Sequence, residues 1–193
     1  MPRTNAKDAL ADTMETLILK MDFDDITVDM LSSEAGYSRT TFYNHFTDKY
    51  QLLAWVYMRR CNTYQAQCLD SGDWRSLGLQ CAELLSEMSP FFARALRYDG
   101  HESLVESLTK YALDFYDQLF AKHLSKEEIP SHLHDILTAY LYGWTKLHQH
   151  WVVSGTQPDP EYIAKVSFDL LPQIVITLLD KCKTGTPEAL ADS

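Results

Sequence analysis

An all-helical protein is what this sequence predicts, and three observations predict it. Apolar residues recur at three- and four-residue spacing along most of the chain. Only seven Gly and seven Pro occur in 193 residues, and almost none interrupts those periodic segments. Capping residues (Ser, Thr, Asp or Asn) stand just ahead of several of them. At 46% hydrophobic the chain can bury a substantial core in one or two domains. No apolar run reaches the ~18 residues of a membrane span and the N-terminus lacks a signal-peptide pattern, so a cytoplasmic location is expected.

Residues 1–4 read as a loose arm. Asn5 or Thr4 caps a first helix running to about Met21, with Leu10, Met14, Leu17 and Ile18 on its apolar stripe. Asp22 to Ile26 is an acidic connector pinned by Phe23 and Ile26. The next stretch, TVDMLSSEAGYSRTTFYNHFTDK over 27–49, reads as two short helices around a tight turn. Thr27 caps the first, whose apolar side is Met30, Leu31 and Ala35. Gly36 stands where a left-handed residue closes a helix, and Ser38 caps the helix that follows.

That second helix, about Arg39 to Phe46, buries Phe42 and Phe46 and turns Arg39, Thr40, Thr41, Tyr43, Asn44 and His45 outward. All six carry hydrogen-bond donors, and no carboxylate follows until Asp48. A solvated face in an acidic protein ordinarily carries Glu and Asp. A face of donors without acid suits a phosphate-lined groove, where backbone contacts position a helix and base-edge contacts specify sequence. Helix, Gly-containing turn and presented helix is the helix-turn-helix arrangement.

Thr27, Ala35-Gly36, Phe42-Tyr43, His45-Phe46 and Lys49, followed by Leu52-Leu53, resemble the DNA-binding signature of the TetR/AcrR family of bacterial regulators. The resemblance spans roughly the first quarter to third of the chain without a gap. It implies a three-helix DNA-binding domain at 1–48 and a helical regulatory, ligand-binding and dimerisation domain at 49–193. It implies double-stranded DNA as partner, with Thr27, Tyr43, His45 and Lys49 on phosphates and Arg39, Thr40 and Asn44 on base edges, Ser38 and Thr41 lying in the same interface. For Lys49 an ordinary exposed lysine is the competing reading. More narrowly, SRTTFYNHFTDKYQLLAWVY and FFARALRYDG resemble the subgroup that includes dihydroxyacetone-kinase regulators. That likeness keeps a second reading open, a coactivator of the same fold controlled by a protein partner.

The net charge of −10 weighs against a nucleic-acid partner until the chain is divided. Residues 1–60 carry seven Lys/Arg and nine Asp/Glu, residues 61–193 ten and eighteen, and 38–49 two basic against one acidic. Most of the acid lies away from the donor face. Modest non-specific affinity is expected, with two-fold symmetric binding supplying strength.

Thr47 is expected to cap a long helix through Leu52, Leu53, Val56, Tyr57 and Cys61 to about Leu69, tying the N-terminal part to the rest. Asp70-Ser-Gly-Asp breaks it. An amphipathic helix at 74–88, a short one from Ser89-Pro90 to near Gly100, and a long one from Glu102 to His123 follow. Ser125 and Glu128 form a capping-box pattern cut short by Pro130. A helix from Ser131 to Val153 ends at Ser154-Gly155, and Asp159-Pro160 opens a last one to Lys181, kinked at Pro172. These last two helices are apolar on more than one side, which calls for a second partner. The resemblance implies a two-fold mate there; a deeper monomer core is the alternative.

Little else in the sequence carries chemistry. His132/His134 and His148/His150 lie two apart, so a helix points each pair in opposed directions and no metal is expected. Cys61, Cys68, Cys81 and Cys182 form no CxxC framework and read as reduced thiols, with a redox sensor as the alternative. No catalytic grouping, phosphate-cradling loop or cofactor fingerprint is found, so neither an enzyme nor a cofactor is expected. Tyr111, Phe115, Tyr116, Tyr140, Trp144 and His148 are candidates for a pocket holding a small-molecule inducer; plain core is the competing reading.

Overall fold

A computed structural model describes residues 5–95, 102–157 and 159–183, and the regular elements among them are helices. Asn5 caps α1 (Ala6–Ile18) by accepting from the Lys7 N–H at 3.2 Å. The helix stops short of the expected Met21, and Leu17 O accepts from Lys20 and Met21 in a turn. A 3-10 turn, Phe23–Asp25, then buries Phe23 and delivers the buried Ile26.

The helix α2 (Val28–Glu34) starts on Thr27, whose hydroxyl accepts from the Met30 N–H at 3.2 Å. It ends in the two-bond Schellman closure: Tyr37 N–H to Ser32 O at 2.8 Å and Gly36 N–H to Ser33 O at 3.1 Å. That closure requires the left-handed φ of +76° at Gly36, a conformation other residues adopt at a steric cost. Next comes α3 (Arg39–Tyr43), capped by Ser38.

The long α4 (Lys49–Ser71) takes its cap from Asp48, not the expected Thr47. Asp48 Oδ1 accepts from Gln51 N–H at 2.8 Å, and Gln51 Oε1 accepts in return from Thr47 N–H at 2.7 Å. A carboxylate at a helix start also gains from the helix dipole, which a hydroxyl does not. Then follow α5 (Trp74–Glu87), α6 (Ser89–Ala95) and α7 (Glu102–His123). The end expected for α6, near Gly100, lies outside the described residues. Ser125 and Glu128 form their capping box around the 3-10 turn Lys126–Glu128, and α8 (Leu133–Val153) follows.

The expected kinked last helix is instead two helices, α9 (Pro160–Asp169) and α10 (Gln173–Lys181), bent by 105° at the break. Pro172 has no N–H to continue the ladder and becomes the N-cap of α10. The bend is held by burial of Leu171 and Val175.

Helix α4 lies at the centre of the packing, against α1, α5 and α7, while α8 covers α7 and α9 covers α5. One apolar cluster runs from Leu10 and Phe42 through Leu52, Tyr57 and Leu84 to Trp151. A second joins Trp74, Phe115, Leu137 and Leu178. Much of the apolar surplus of the C-terminal helices is therefore spent inside the chain. Among the large apolar side chains left exposed there are Tyr142, Val153, Tyr162 and Leu170. No single helix among the described residues is long and apolar enough to cross a membrane.

Candidate nucleic-acid interface

Five residues are too few for a free-standing helix, so α3 owes its existence to its neighbours. Phe42 and Phe46 are 0% and 1% exposed, their rings 5.7 Å apart, inside the cluster shared with α1 and α4. Anchoring those two residues leaves the opposite side outward. Tyr43 is 50% exposed, and Arg39, Thr40, Asn44 and His45 are exposed beside it. Thr27 and Ser38, also exposed, mark the starts of α2 and α3 on their caps. Thr41 is half-buried; its N–H donates to Ser38 Oγ at 3.1 Å and its hydroxyl lies 3.0 Å from the same oxygen.

Arg39 and Lys49 are not free cations. Arg39 sits over the Tyr43 ring at 5.9 Å and pairs with Asp29 of α2 at 3.1 Å, both side chains well exposed. An acid absent from α3 is thus supplied to it from ten residues earlier. Lys49 departs further from the expected phosphate ligand. Its Nζ donates to Phe23 O at 2.7 Å, Asp24 O at 3.1 Å and Ile26 O at 3.1 Å, and it lies over the Phe23 ring. All three ammonium hydrogens are occupied in tying the 3-10 turn to the start of α4. Burial lowers the Lys49 pKa, against the opposing pull of Asp24 and Asp25.

The three-helix unit is fastened to the rest by arginines. Arg59 of α4 pairs with Asp12 of α1 at 2.8 Å and with Glu15, and Arg60 joins Glu15 at 2.7 Å. Arg94 of α6 donates to Ile18 O at 3.2 Å and Leu19 O at 3.1 Å, at the C-terminal end of α1, where carbonyls lack helical partners. Sequence reasoning missed Arg94: nothing local marks a cation that caps a helix seventy-odd residues away.

A cavity of about 140 Å³ lies among α4, α5, α7, α8 and α9. Phe115, Tyr116, Tyr140, Trp144 and His148 line it as expected, but Tyr111 does not. Tyr111 packs instead against Trp55, ring centroids 6.3 Å apart, on the side facing the first cluster. Walls from Cys61, Gln65, Cys81, Thr145 and Phe168 were not anticipated. The Cys61 and Cys81 sulfurs are 3.8 Å apart, whereas Cys68 is buried in the other cluster. The hydrogen bond from Cys81 lowers the Cys61 pKa. His148 Nδ1 lies 2.9 Å from Trp144 O, and burial holds the imidazole neutral with its pKa lowered to about 4. No group of three or more His, Cys, Asp or Glu among the described residues is arranged to hold a metal ion.

The buried aromatic pair, the Gly36 turn and the outward donor face together define a helix-turn-helix DNA-binding unit joined to a helical domain with an internal cavity. Residues 12–56 match the sequence profile described as bacterial regulatory proteins, tetR family, and residues 72–173 match the one described as transcriptional regulator C-terminal region. The chain belongs to the TetR family of transcriptional regulators. No curated protein sequence matches it. Among solved structures it is similar to the dihydroxyacetone kinase operon activator DhaS, at 18% identity and a TM-score of 0.48, over 92% of this chain and 96% of that one. It is likewise similar to a tetR-family transcriptional regulator from Streptomyces coelicolor, at 18% identity and a TM-score of 0.48, over 95% of this chain and 93% of that one.

Proposed function

We propose that this chain is a ligand-responsive repressor that binds a pseudo-palindromic operator as a homodimer. Residues 1–48 form the reading unit and 49–193 the regulatory and dimerisation unit. Each protomer lays α3 in the major groove of one half-site. Tyr43, His45 and Thr27 meet phosphates, and Arg39, Thr40 and Asn44 reach base edges. The observation that carries this reading is the division of α3: both phenylalanines are sealed in the core while the donor-bearing residues on the other side stay in solvent. Arg39 must exchange Asp29 for a guanine edge on binding, a swap that costs little because that ion pair is exposed.

The two-fold contact forms on α8 and α9. Tyr142 and Val153 lie eleven residues apart, three helical turns within about 20°, so they share one stripe of α8. Tyr162 and Leu170 extend that apolar surface from α9. A ligand in the cavity touches α4 directly and shifts the equilibrium between spacings of the two reading helices by differential affinity for the two states.

Selection of bound sequences from random DNA, at a stated salt concentration, tests the reading. A two-fold symmetric motif is expected, and Arg39→Ala should lose about tenfold or more of the preference at one position of each half-site. Recovery of unrelated sequences, or of a motif without symmetry, would rule the proposal out.

A further inference from the structure

The cavity wall specifies the charge and the hydrogen-bonding character of what fills it. None of its described lining residues is Asp, Glu, Lys or Arg. An ion entering such a site loses its hydration without gaining a partner, so charged molecules are excluded. The polar side chains around it are mostly committed already. Tyr140 Oη donates to Ser167 O at 2.8 Å, and Tyr57 Oη donates to Cys81 O at 3.0 Å. Thr145 Oγ1 lies 3.4 Å from Thr109 Oγ1, and Gln149 Oε1 accepts from Lys146 at 3.2 Å.

Gln65, Tyr116, Trp144 and His148 keep a side-chain donor or acceptor without a partner among the described residues, and of these His148 is 5% exposed. Trp144 O can only accept, so His148 Nδ1 must carry the proton that joins them at 2.9 Å. In the neutral ring that leaves Nε2 as a lone-pair acceptor. It has no hydrogen-bond partner among the described residues, in a side chain that lines the cavity and lies tilted against the Trp144 ring, centroids 4.2 Å apart. An acceptor without a partner on the wall of a mostly apolar cavity is poorly solvated, and a ligand with an O–H or N–H recovers that cost. The volume sets the size: a cavity of about 150 Å³ accommodates a single benzene-sized ring.

We infer that the cavity takes an uncharged, single-ring or similarly small apolar molecule bearing one hydroxyl or N–H, a phenol or a short alcohol, whose donor binds His148 Nε2. This deepens the ligand-responsive reading proposed above and rests on it for the consequence on DNA. Half-buried Gln65 and the Tyr116 hydroxyl, elsewhere on the wall, each offer both a donor and an acceptor and so do not discriminate among uncharged ligands.

The test is calorimetric titration of the full-length protein with three ligands of like shape: p-cresol, toluene and 4-methylbenzoate. Expected are binding of p-cresol about tenfold or more tighter than toluene and no saturable binding of 4-methylbenzoate. In His148→Phe the advantage of p-cresol over toluene disappears while toluene still binds; in His148→Gln, whose amide oxygen again accepts, much of it returns. Should His148→Phe fail to fold, the ranking of the three ligands on the unaltered protein decides alone. Equal affinity for p-cresol and toluene, tighter binding of the carboxylate, or no binding of any of the three overturns the inference. DNA release is read separately, by polarisation of the selected duplex. If p-cresol binds in the expected order and the duplex stays bound, the cavity assignment stands and ligand-responsive repression by this class of molecule falls.

Discussion

Lys49 shows how one side chain divides between two roles. Its ammonium donates to three carbonyls of the segment 23–26, of which Phe23 O also accepts from the Ile26 N–H at 3.2 Å. Lys49→Met keeps the length of the stem and removes the donors, so unfolding free energy is expected to fall by about 1–3 kcal/mol, measured by chemical denaturation. The dependence of DNA affinity on salt should keep its slope. An unchanged stability with a slope shallower by about 0.9 would instead put the ammonium on a phosphate. His148 makes a second prediction at this scale. Its pKa falls from 6.5 to about 4 through burial, so the unfolded chain binds the proton more readily than the folded one. Its contribution is therefore fully present above pH 6.5 and is lost as pH falls toward 4, up to about 3 kcal/mol. Thermal melts should show a steeper loss of stability over that window in the natural chain than in His148→Gln. Parallel curves would mean the imidazole is not desolvated.

At the scale of elements, short helices survive here by what they bury. The caps at Asn5, Thr27, Ser38, Asp48, Asp73 and Asp159 each sit beside the helix they start; local reading names Asn5, Thr27, Ser38 and Asp159 and takes Asp73 only as part of a break. At the start of α4 the cap is Asp48 and not the expected Thr47, and Gln51 reaches back to accept from the Thr47 N–H. Helix crossings are another matter. Gly78 of α5 lets Phe168 of α9 approach so closely that a Cβ there would stand 2.5 Å from the ring, which Trp74 braces edge-on at 5.4 Å. Gly78→Ala gains about 1 kcal/mol of helix propensity, yet overpacking of this kind costs about 1–3 kcal/mol. A net fall in melting temperature is expected, and a rise would show that the ring moves aside. The bend at Pro172 belongs here too: a proline within an apolar run signals a kink, but only the burial of Leu171 and Val175 turns it into a 105° corner.

Across the whole molecule, α4 both packs against α1 and lines the cavity, and α1 is tied to α4 by Arg59 and Arg60 and to α6 by Arg94. Arg94 is the tie that does not run through α4, since it reaches from α6 to the last carbonyls of α1. Arg94→Met should speed amide hydrogen exchange at residues 19–26 while leaving the middle of α7 protected. Uniform protection across both segments would show that α6 does not hold the end of α1. The tie thus joins α6 to α1, on which, together with α2, the short α3 packs.

By itself the sequence determined most of the helices and many of their ends, the Gly36 turn and the two sides of α3, because each depends on residues within four or five positions of one another. The tertiary structure alone decided that Asp29 meets Arg39, that Lys49 serves carbonyls some twenty-five residues earlier, that Tyr111 faces away from the cavity, and that His148 keeps an unpaired nitrogen within it. Those outcomes depend on which helices lie side by side. Hydrophobic burial, which assembles them, is non-directional, so the periodic pattern of one helix does not specify the polar partners that its neighbours will bring.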